Sequence, residues 1–189
     1  MRTAVLLIPP ESPELLDQVA RWLSRKENYQ WLDFGEGRQI ASREWLKIAM
    51  QRQTTVLRVF TSDREYLPIG VAGLSNVNTH FGTASAWVVL GEKAFARQGY
   101  ATRALSRLLT HGFSELNLRS IHTWVVENAE SIDLVRRVGF KPIGRQRECH
   151  VIEGRACDRL WFDVLANEHK EIGDERQDAP ARTNHQAVL

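Results

Sequence analysis

Hydrophobic and polar positions along the chain follow two different periods, and each change of period marks an element. The apolar run Ala4–Ile8, preceded by Thr3 and closed by Pro9-Pro10, reads as a first strand over Thr3–Ile8. Ser12-Pro13-Glu14 then predicts a helix start, with Ser as N-cap, Pro at the first helical position and an acid in the first turn. Leu15, Leu16, Val19, Trp22 and Leu23 recur at helical spacing and form its buried face. Residues 24–40 keep neither period and read as an irregular, aromatic-bearing loop. Ser42 caps a second helix running to about Arg52, with Trp45, Ile48 and Ala49 on its apolar side.

Three strand signals follow. Thr54–Phe60 ends in a turn at Ser62-Asp63-Arg64-Glu65, Pro68–Asn76 is interrupted by Gly70 and Gly73, and Thr83–Leu90 comes after a turn at Asn78–Gly82. Together they predict an antiparallel meander. Gly99–Phe113 places Ala101, Ala104, Leu105, Leu108 and Leu109 on one side of a helix, and Ser120–Val126 is a buried strand. Asn128–Val138 is a short helix closed by Gly139, and Phe140–Val151 with Ala156–Leu165 makes a last hairpin. The order β-α-α-β-β-β-α-β-α-β-β predicts a mixed sheet with helices packed on it, an α/β (α+β) layer architecture. A crossover from Thr83–Leu90 through a helix to Ser120–Val126 is right-handed if those strands are parallel neighbours. No internal repeat is visible. From Asn167 the chain turns polar and aperiodic, so we expect a domain over residues 1–166 and a disordered tail over 167–189.

Bulk properties narrow the function classes. A length of 189 residues, 43% hydrophobic and 25% charged, suits one ordinary globular domain. The net charge of +2, with no basic run, gives no strong pull toward nucleic acid or anionic membrane. Ala4–Ile8 is too short for a signal-peptide core or a membrane span. Two cysteines are too few for a disulfide scaffold. With Glu153-Gly154 as the hairpin turn, Cys149 falls opposite Asp158 and Cys157 opposite His150, on different faces. Reduced thiols and a cytoplasmic location are therefore expected.

The segment with the most chemistry is the strand-to-helix connection Gly91–Gln98, where Gly99 opens a helix. Such a turn exposes unpaired backbone N–H groups whose partial positive charge suits a phosphate. Gly99 permits close approach, Ala101 keeps the first turn small, Arg97 adds a cation and Thr102 a hydroxyl. Taken alone, a plain strand-helix turn with a solvated arginine explains the same residues. Asn128 likewise reads either as an N-cap or as a ligand contact, and Ser131 as a polar residue in the first turn.

The two segments together are more specific. Trp87-Val88-Val89-Leu90, followed by Ala96-Arg97-Gln98-Gly99-Tyr100-Ala101-Thr102, resembles the acetyl-CoA motif of the GNAT superfamily of N-acyltransferases. Asn128-Ala129-Glu130-Ser131 with Gly139-Phe140 is similar to that superfamily's next motif, and Gly154-Arg155 with Asp158 before Leu160-Trp161-Phe162 resembles its RimJ/RimL-like branch. The resemblance covers roughly residues 3–166 and is strongest over 84–140. It implies a mixed, mostly antiparallel central sheet flanked by helices. It also implies acetyl-CoA as co-substrate, no metal, an amine acceptor, and no nucleic-acid or membrane partner, in a monomer or homodimer. One position departs from the pattern: Ala96 stands where Gln or Arg is common, which leaves Arg97 to supply the contact.

The same resemblance assigns roles. Val88, Val89 and Leu90 lie on a strand that splays from its neighbour toward the pantetheine arm and thioester. Arg97, Gln98, Gly99, Tyr100, Ala101 and Thr102 hold the pyrophosphate, and Asn128 bonds the pantetheine amides. Ser131 protonates or relays to the departing thiolate in place of the Tyr that many members carry, contributing about 10–100-fold. The base stays open among Glu127, Asp33, Glu36, His80, His150 and water, since an α-amine with a pKa near ~8 needs little help. The acceptor pocket is expected between the N-terminal helices and the last hairpin, walled by Tyr29, Trp31, Asp33 and Phe34, where aromatics around an acid suit a cationic amine or an aromatic ring. Trp22, Trp45, Trp87 and Trp124 read as core, and Arg136, Arg137, Arg145 and Arg147 as a solvated basic face. The leading expectation is acetyl transfer to a small amine, an amino acid or a protein N-terminus. The alternatives are another acyl-CoA donor, a silent acyl-CoA-binding module, and an enzyme acting on charged tRNA.

Overall fold

In the computed structural model, the described residues are 5–33, 42–63, 65–127 and 129–173. Seven strands form one sheet in the order β1-β2-β3-β4-β5-β7-β6. The strands are β1 (Leu7–Ile8), β2 (Val56–Thr61), β3 (Pro68–Asn78), β4 (Thr83–Leu90), β5 (Ser120–Val126), β6 (Lys141–Ile152) and β7 (Arg155–Leu165). Every neighbouring pair is antiparallel except β4 and β5, which run parallel as a helical crossover requires. The mixed, mostly antiparallel sheet expected from the sequence is therefore the one observed.

The helices are α1 (Pro13–Ser24), α2 (Lys26–Tyr29), α3 (Arg43–Gln51), α4 (Tyr100–Ser114) and α5 (Ala129–Arg137). Ser12 and Ser42 cap α1 and α3 as expected: each Oγ accepts a backbone N–H, from Leu15 and Trp45, both at 3.2 Å. Gly139 ends α5, where its N–H reaches the Arg136 carbonyl at 3.0 Å and that of Phe140 reaches Val135 at 3.1 Å.

The sheet is covered on both faces. On one, Leu105, Leu108 and Leu109 of α4 pack on Leu74, Ala84, Ala86, Ile121, Phe162 and Val164, all buried. On the other, Leu16, Val19, Trp22 and Leu23 of α1 and Leu46 of α3 pack on Leu57, Val59, Val71 and Val89. β4 supplies both layers because its side chains alternate: Val88 and Leu90 face α4, Trp87 and Val89 face α1.

Several expectations change. The loop expected over 24–40 contains the one-turn helix α2, which follows α1 after Arg25 alone; Phe34 and Glu36 lie outside the described residues. On α3 it is Leu46 that is buried, while Ile48 is 54% exposed. Gly70 and Gly73 do not interrupt β3, whose ladder with β4 runs through both. They let neighbouring side chains cross close to the backbone, since a Cβ at Gly73 would sit 2.5 Å from the Trp87 ring. Cys157 does pair with His150, but Cys149 falls in an irregular stretch where Asp158 accepts the Glu148 N–H at 2.8 Å; both thiols are free. The fold also continues past residue 166. The Ile172 N–H donates to Ser106 Oγ at 2.9 Å, and Thr110 Oγ1 meets His169 Nε2 at 2.9 Å, so residues 167–173 lie against α4. Among the described residues no helix is long and apolar enough to cross a membrane.

Candidate active site

The sheet opens at its centre. β4 and β5 pair only from Thr83–Ser85 to Ser120–His122, while β4 stays bonded to β3 as far as Leu90 and β5 to β7 as far as Val126. Beyond Ser85 and His122 the two strands no longer pair, and the sheet is split between them. Val88, Val89 and Leu90 lie on the β4 side of this gap, beyond its last pairing with β5.

The β4–α4 loop closes the top of the gap. After a 3-10 turn at Lys93–Phe95, Arg97 and Gly99 both take left-handed backbone conformations, with φ of 60° and 79°. Left-handed residues close together turn successive N–H groups toward one side, the shape of an anion-binding nest. Gly99 is the N-cap of α4, and among the described residues no side chain caps that end. A Cβ at Gly99 would meet nothing within 4 Å, so the start of α4 is open at this residue. Gln98 and Gly99 are exposed, and Ala101 and Thr102 are half-buried beside them. Tyr100 instead points inward: it is buried, with its ring against Phe95 at 5.7 Å. Its contribution to an anion is thus limited to its backbone N–H.

Three contacts that the sequence reading passed over hold this loop in place. Arg103, one turn into α4 and 7% exposed, grips Asp63 through two bonds of 2.9 and 3.2 Å and lies over the Tyr100 ring. The Trp22 ring covers Gly91 so closely that a Cβ there would fall 2.2 Å away, and its Nε1–H donates to Glu92 at 2.7 Å. Lys93 donates to the buried Asn28 Oδ1 at 2.7 Å and to the Leu90 carbonyl at 2.9 Å, and burial pulls its pKa below the usual lysine range. Trp22 is thus core, as its spacing implied, but it also carries the hydrogen bond that ties α1 to the loop.

Arg97 itself is 88% exposed and faces Glu130 of α5 at 3.3 Å. An ion pair so open to solvent holds weakly and is screened by salt. Arg97 is accordingly available to an incoming anion. We expect Arg97→Ala to weaken acetyl-CoA binding by about threefold to tenfold, the more so at low ionic strength, with turnover changed less than about twofold. Calorimetry at two salt concentrations beside steady-state rates checks this, and an unchanged affinity would remove Arg97 from the donor site.

Ser131 is half-buried in the first turn of α5, directly after β5. Asn128 lies outside the described residues. Of the proposed bases, His80 sits in the exposed turn between β3 and β4, at the end of β4 opposite the gap. Its position removes it from the reaction. His150 is 7% exposed and fully engaged: Nε2 is 2.7 Å from the Gln30 carbonyl and Nδ1 accepts from Arg159 at 3.0 Å. A nitrogen that accepts from a guanidinium carries no proton, so the ring holds the Nε2–H tautomer and serves as a strut. Glu127 pairs with Arg145 at 3.1 Å, and Arg145 also bonds Asp158, so that part of the basic face is ion-paired. His122, unremarked in the sequence, stands where β4 and β5 part, with burial holding its pKa below the usual histidine value.

The side of the gap facing α1 and α2 carries the acceptor candidates. A shallow depression, largely open to solvent, lies among Arg25, Lys26, Glu27, Gln30 and Glu153, between α2 and the tip of the β6–β7 hairpin. Lys26 spans to Glu153 at 2.6 Å. Asp33 is bound by Arg159 at 3.0 Å, and the Arg159 guanidinium lies flat over Trp124 at 3.7 Å. Trp124 therefore forms a platform on this face and is not the buried core residue its strand position implied. Trp31 is 38% exposed and Tyr29 half-buried nearby on the same segment.

The pattern described as the acetyltransferase (GNAT) domain matches residues 5–141, well over half of the chain. This chain belongs to the GNAT acetyltransferase family. Among relatives, an uncharacterized N-acetyltransferase, p20, of Bacillus licheniformis is 31% identical over 102 residues. That match spans 53% of this GNAT chain and only 57% of the relative's length. The spermidine N-acetyltransferase of Vibrio cholerae, solved with CoA and spermine, superposes with a TM-score of 0.76 at 20% identity, covering 87% of this chain and 96% of that one. A probable GNAT-family acetyltransferase of Chromobacterium violaceum gives a TM-score of 0.70 at 26% identity over 87% and 84% of the two chains. The neighbours share the overall fold of this GNAT domain at low sequence identity.

Proposed function

We propose that this GNAT chain is an acetyl-CoA-dependent N-acetyltransferase acting on a primary amine, of the RimJ/RimL-like branch. The observation that carries the reading is the parting of β4 from β5 directly below a loop whose Gly99 leaves the start of α4 open. Acetyl-CoA would bring an activated thioester and a good leaving group. The chain's part is to bind and orient. Gln98, Gly99, Ala101 and Thr102, the Tyr100 N–H and the Arg97 guanidinium would receive the pyrophosphate. The β4 edge over Val88–Leu90 and the Asn128 side chain would align the pantetheine arm. Ser131 would hold a proton close to the leaving sulfur, and His122 or water would accept one from the amine. The CoA and spermine bound by the Vibrio cholerae neighbour support a coenzyme A thioester paired with an amine.

Calorimetry with acetyl-CoA, followed by thiol release over a panel of amines, tests the proposal. Binding with release is expected; binding without release for any amine would mark a silent acyl-CoA module, and no binding would end the proposal. Ser131→Ala should lower kcat by about 10–100-fold while the acetyl-CoA Kd stays within about twofold. Wild-type turnover in that variant would take the proton from Ser131.

A further inference from the structure

The acceptor side differs from what a purely cationic substrate would require. Asp33, the acid expected to meet an ammonium group, already has a cation in Arg159. The open depression between α2 and the hairpin tip is balanced, with Arg25 and Lys26 against Glu27 and Glu153. A polyamine gains most from an uncompensated acidic surface, and this one is compensated.

Arg159 is the best-organised charge on this face. Its side chain is only 14% exposed, its plane rests on Trp124, and its Nε and Nη2 both meet His150 Nδ1, at 3.3 and 3.0 Å. His150 is in turn fixed by the carbonyl of Gln30, which lines the depression. Across the sheet Arg159 pairs with Val126, the last residue of β5, so it stands at the mouth of the gap. The remaining Nη1 points to Asp33, whose side chain is 49% exposed. A guanidinium fixed by Trp124 and His150, with its Nη1 on a half-exposed carboxylate, is a preorganised cation whose carboxylate partner can exchange.

We propose that Arg159 receives a carboxylate of the acceptor, which replaces Asp33, so that the acceptor is a small zwitterionic amine of the amino-acid or short-peptide class. This rests on the N-acetyltransferase reading above. In the exchange no covalent bond changes: one carboxylate leaves the guanidinium and another takes its place, and Asp33 turns out to solvent.

The test uses the full chain with acetyl-CoA and three kinds of acceptor: amino acids, their carboxamides, and spermidine. The carboxylates should exceed their carboxamides and spermidine at least about tenfold in kcat/KM, mostly through KM, as loss of a charge-assisted hydrogen bond implies. Arg159→Met should bring the carboxylate-to-carboxamide ratio close to one, and Arg159→Lys should restore part of it. Asp33→Asn keeps Arg159 in place and should lower KM for carboxylates by about threefold or more, which decides the matter if Arg159→Met fails to fold. Equal use of carboxamides, a preference for spermidine, or an unchanged KM in Asp33→Asn would overturn the proposal while leaving the acetyltransferase reading standing. Failure to bind acetyl-CoA, or to release thiol with any of the three acceptors, would remove both.

Discussion

A Gly99→Val variant is expected to bind acetyl-CoA about 100–1000-fold more weakly than the wild type while remaining folded. Two effects combine at this residue. The valine side chain would project into space that no protein atom fills, directly before the N–H groups of the first turn of α4. A pyrophosphate held off by that side chain loses at least two charge-assisted hydrogen bonds, at about 1.5–3 kcal/mol each. The second effect is backbone strain at φ 79°, about 1–2 kcal/mol for a side chain in the left-handed region. Gly154 in the β6–β7 turn isolates it, because it has the same φ of 79° and the same open surroundings. Both variants should lose about 3–6 °C in Tm, and only Gly99→Val should lose affinity for the coenzyme. Equal acetyl-CoA affinities in the two would move the donor site away from this loop.

Breaking the Arg103–Asp63 pair should produce the largest loss of stability. The two side chains are 8% and 12% exposed, and Arg103→Met would leave the Asp63 carboxylate with little solvent and no cation. Removing one partner of such a pair typically costs about 3–5 kcal/mol, a fall on the order of 10 °C in Tm for a chain of this size. The double variant Arg103→Met with Asp63→Leu should recover most of that loss, because no uncompensated charge remains. Arg103 also fixes the start of α4 against the end of β2, so the single variant should bind acetyl-CoA more weakly. Thermal unfolding of the single and double variants gives the answer; equal Tm values for the two would show that the pair does not anchor α4.

The loop proposed to hold the donor was legible as a strand-to-helix turn because it is local. A strand, a loop and a helix start are consecutive, and the left-handed glycine and short first-turn residues leave a signature that needs no tertiary information. The caps at Ser12 and Ser42, the extents of Thr83–Leu90 and Ser120–Val126, and the register that sets Cys157 against His150 are legible for the same reason. The face that Ile48 presents was misjudged because α3 is short and covers the sheet through Leu46, and periodicity alone does not tell which of two neighbouring stripes is covered.

The acceptor half is assembled from residues far apart in the chain. Asp33 and Arg159 are 126 positions apart, and Lys26 and Glu153 are 127 apart. No spacing rule connects such pairs, and an isolated Asp33 reads as a bare acid until the fold brings a guanidinium to it. His150 shows the same limit, since its candidacy as a base ended only when both ring nitrogens were seen to be engaged. The sequence by itself determined the order of elements, the caps and the glycine-started turn into α4, because turn chemistry and side-chain period act over a few residues. Only the tertiary structure decided how β4 parts from β5, that Asp63 locks Arg103, and which charges face the acceptor. Those depend on burial and on contacts between distant segments, where the energy of a charge is set by what packs around it and not by its neighbours in the chain.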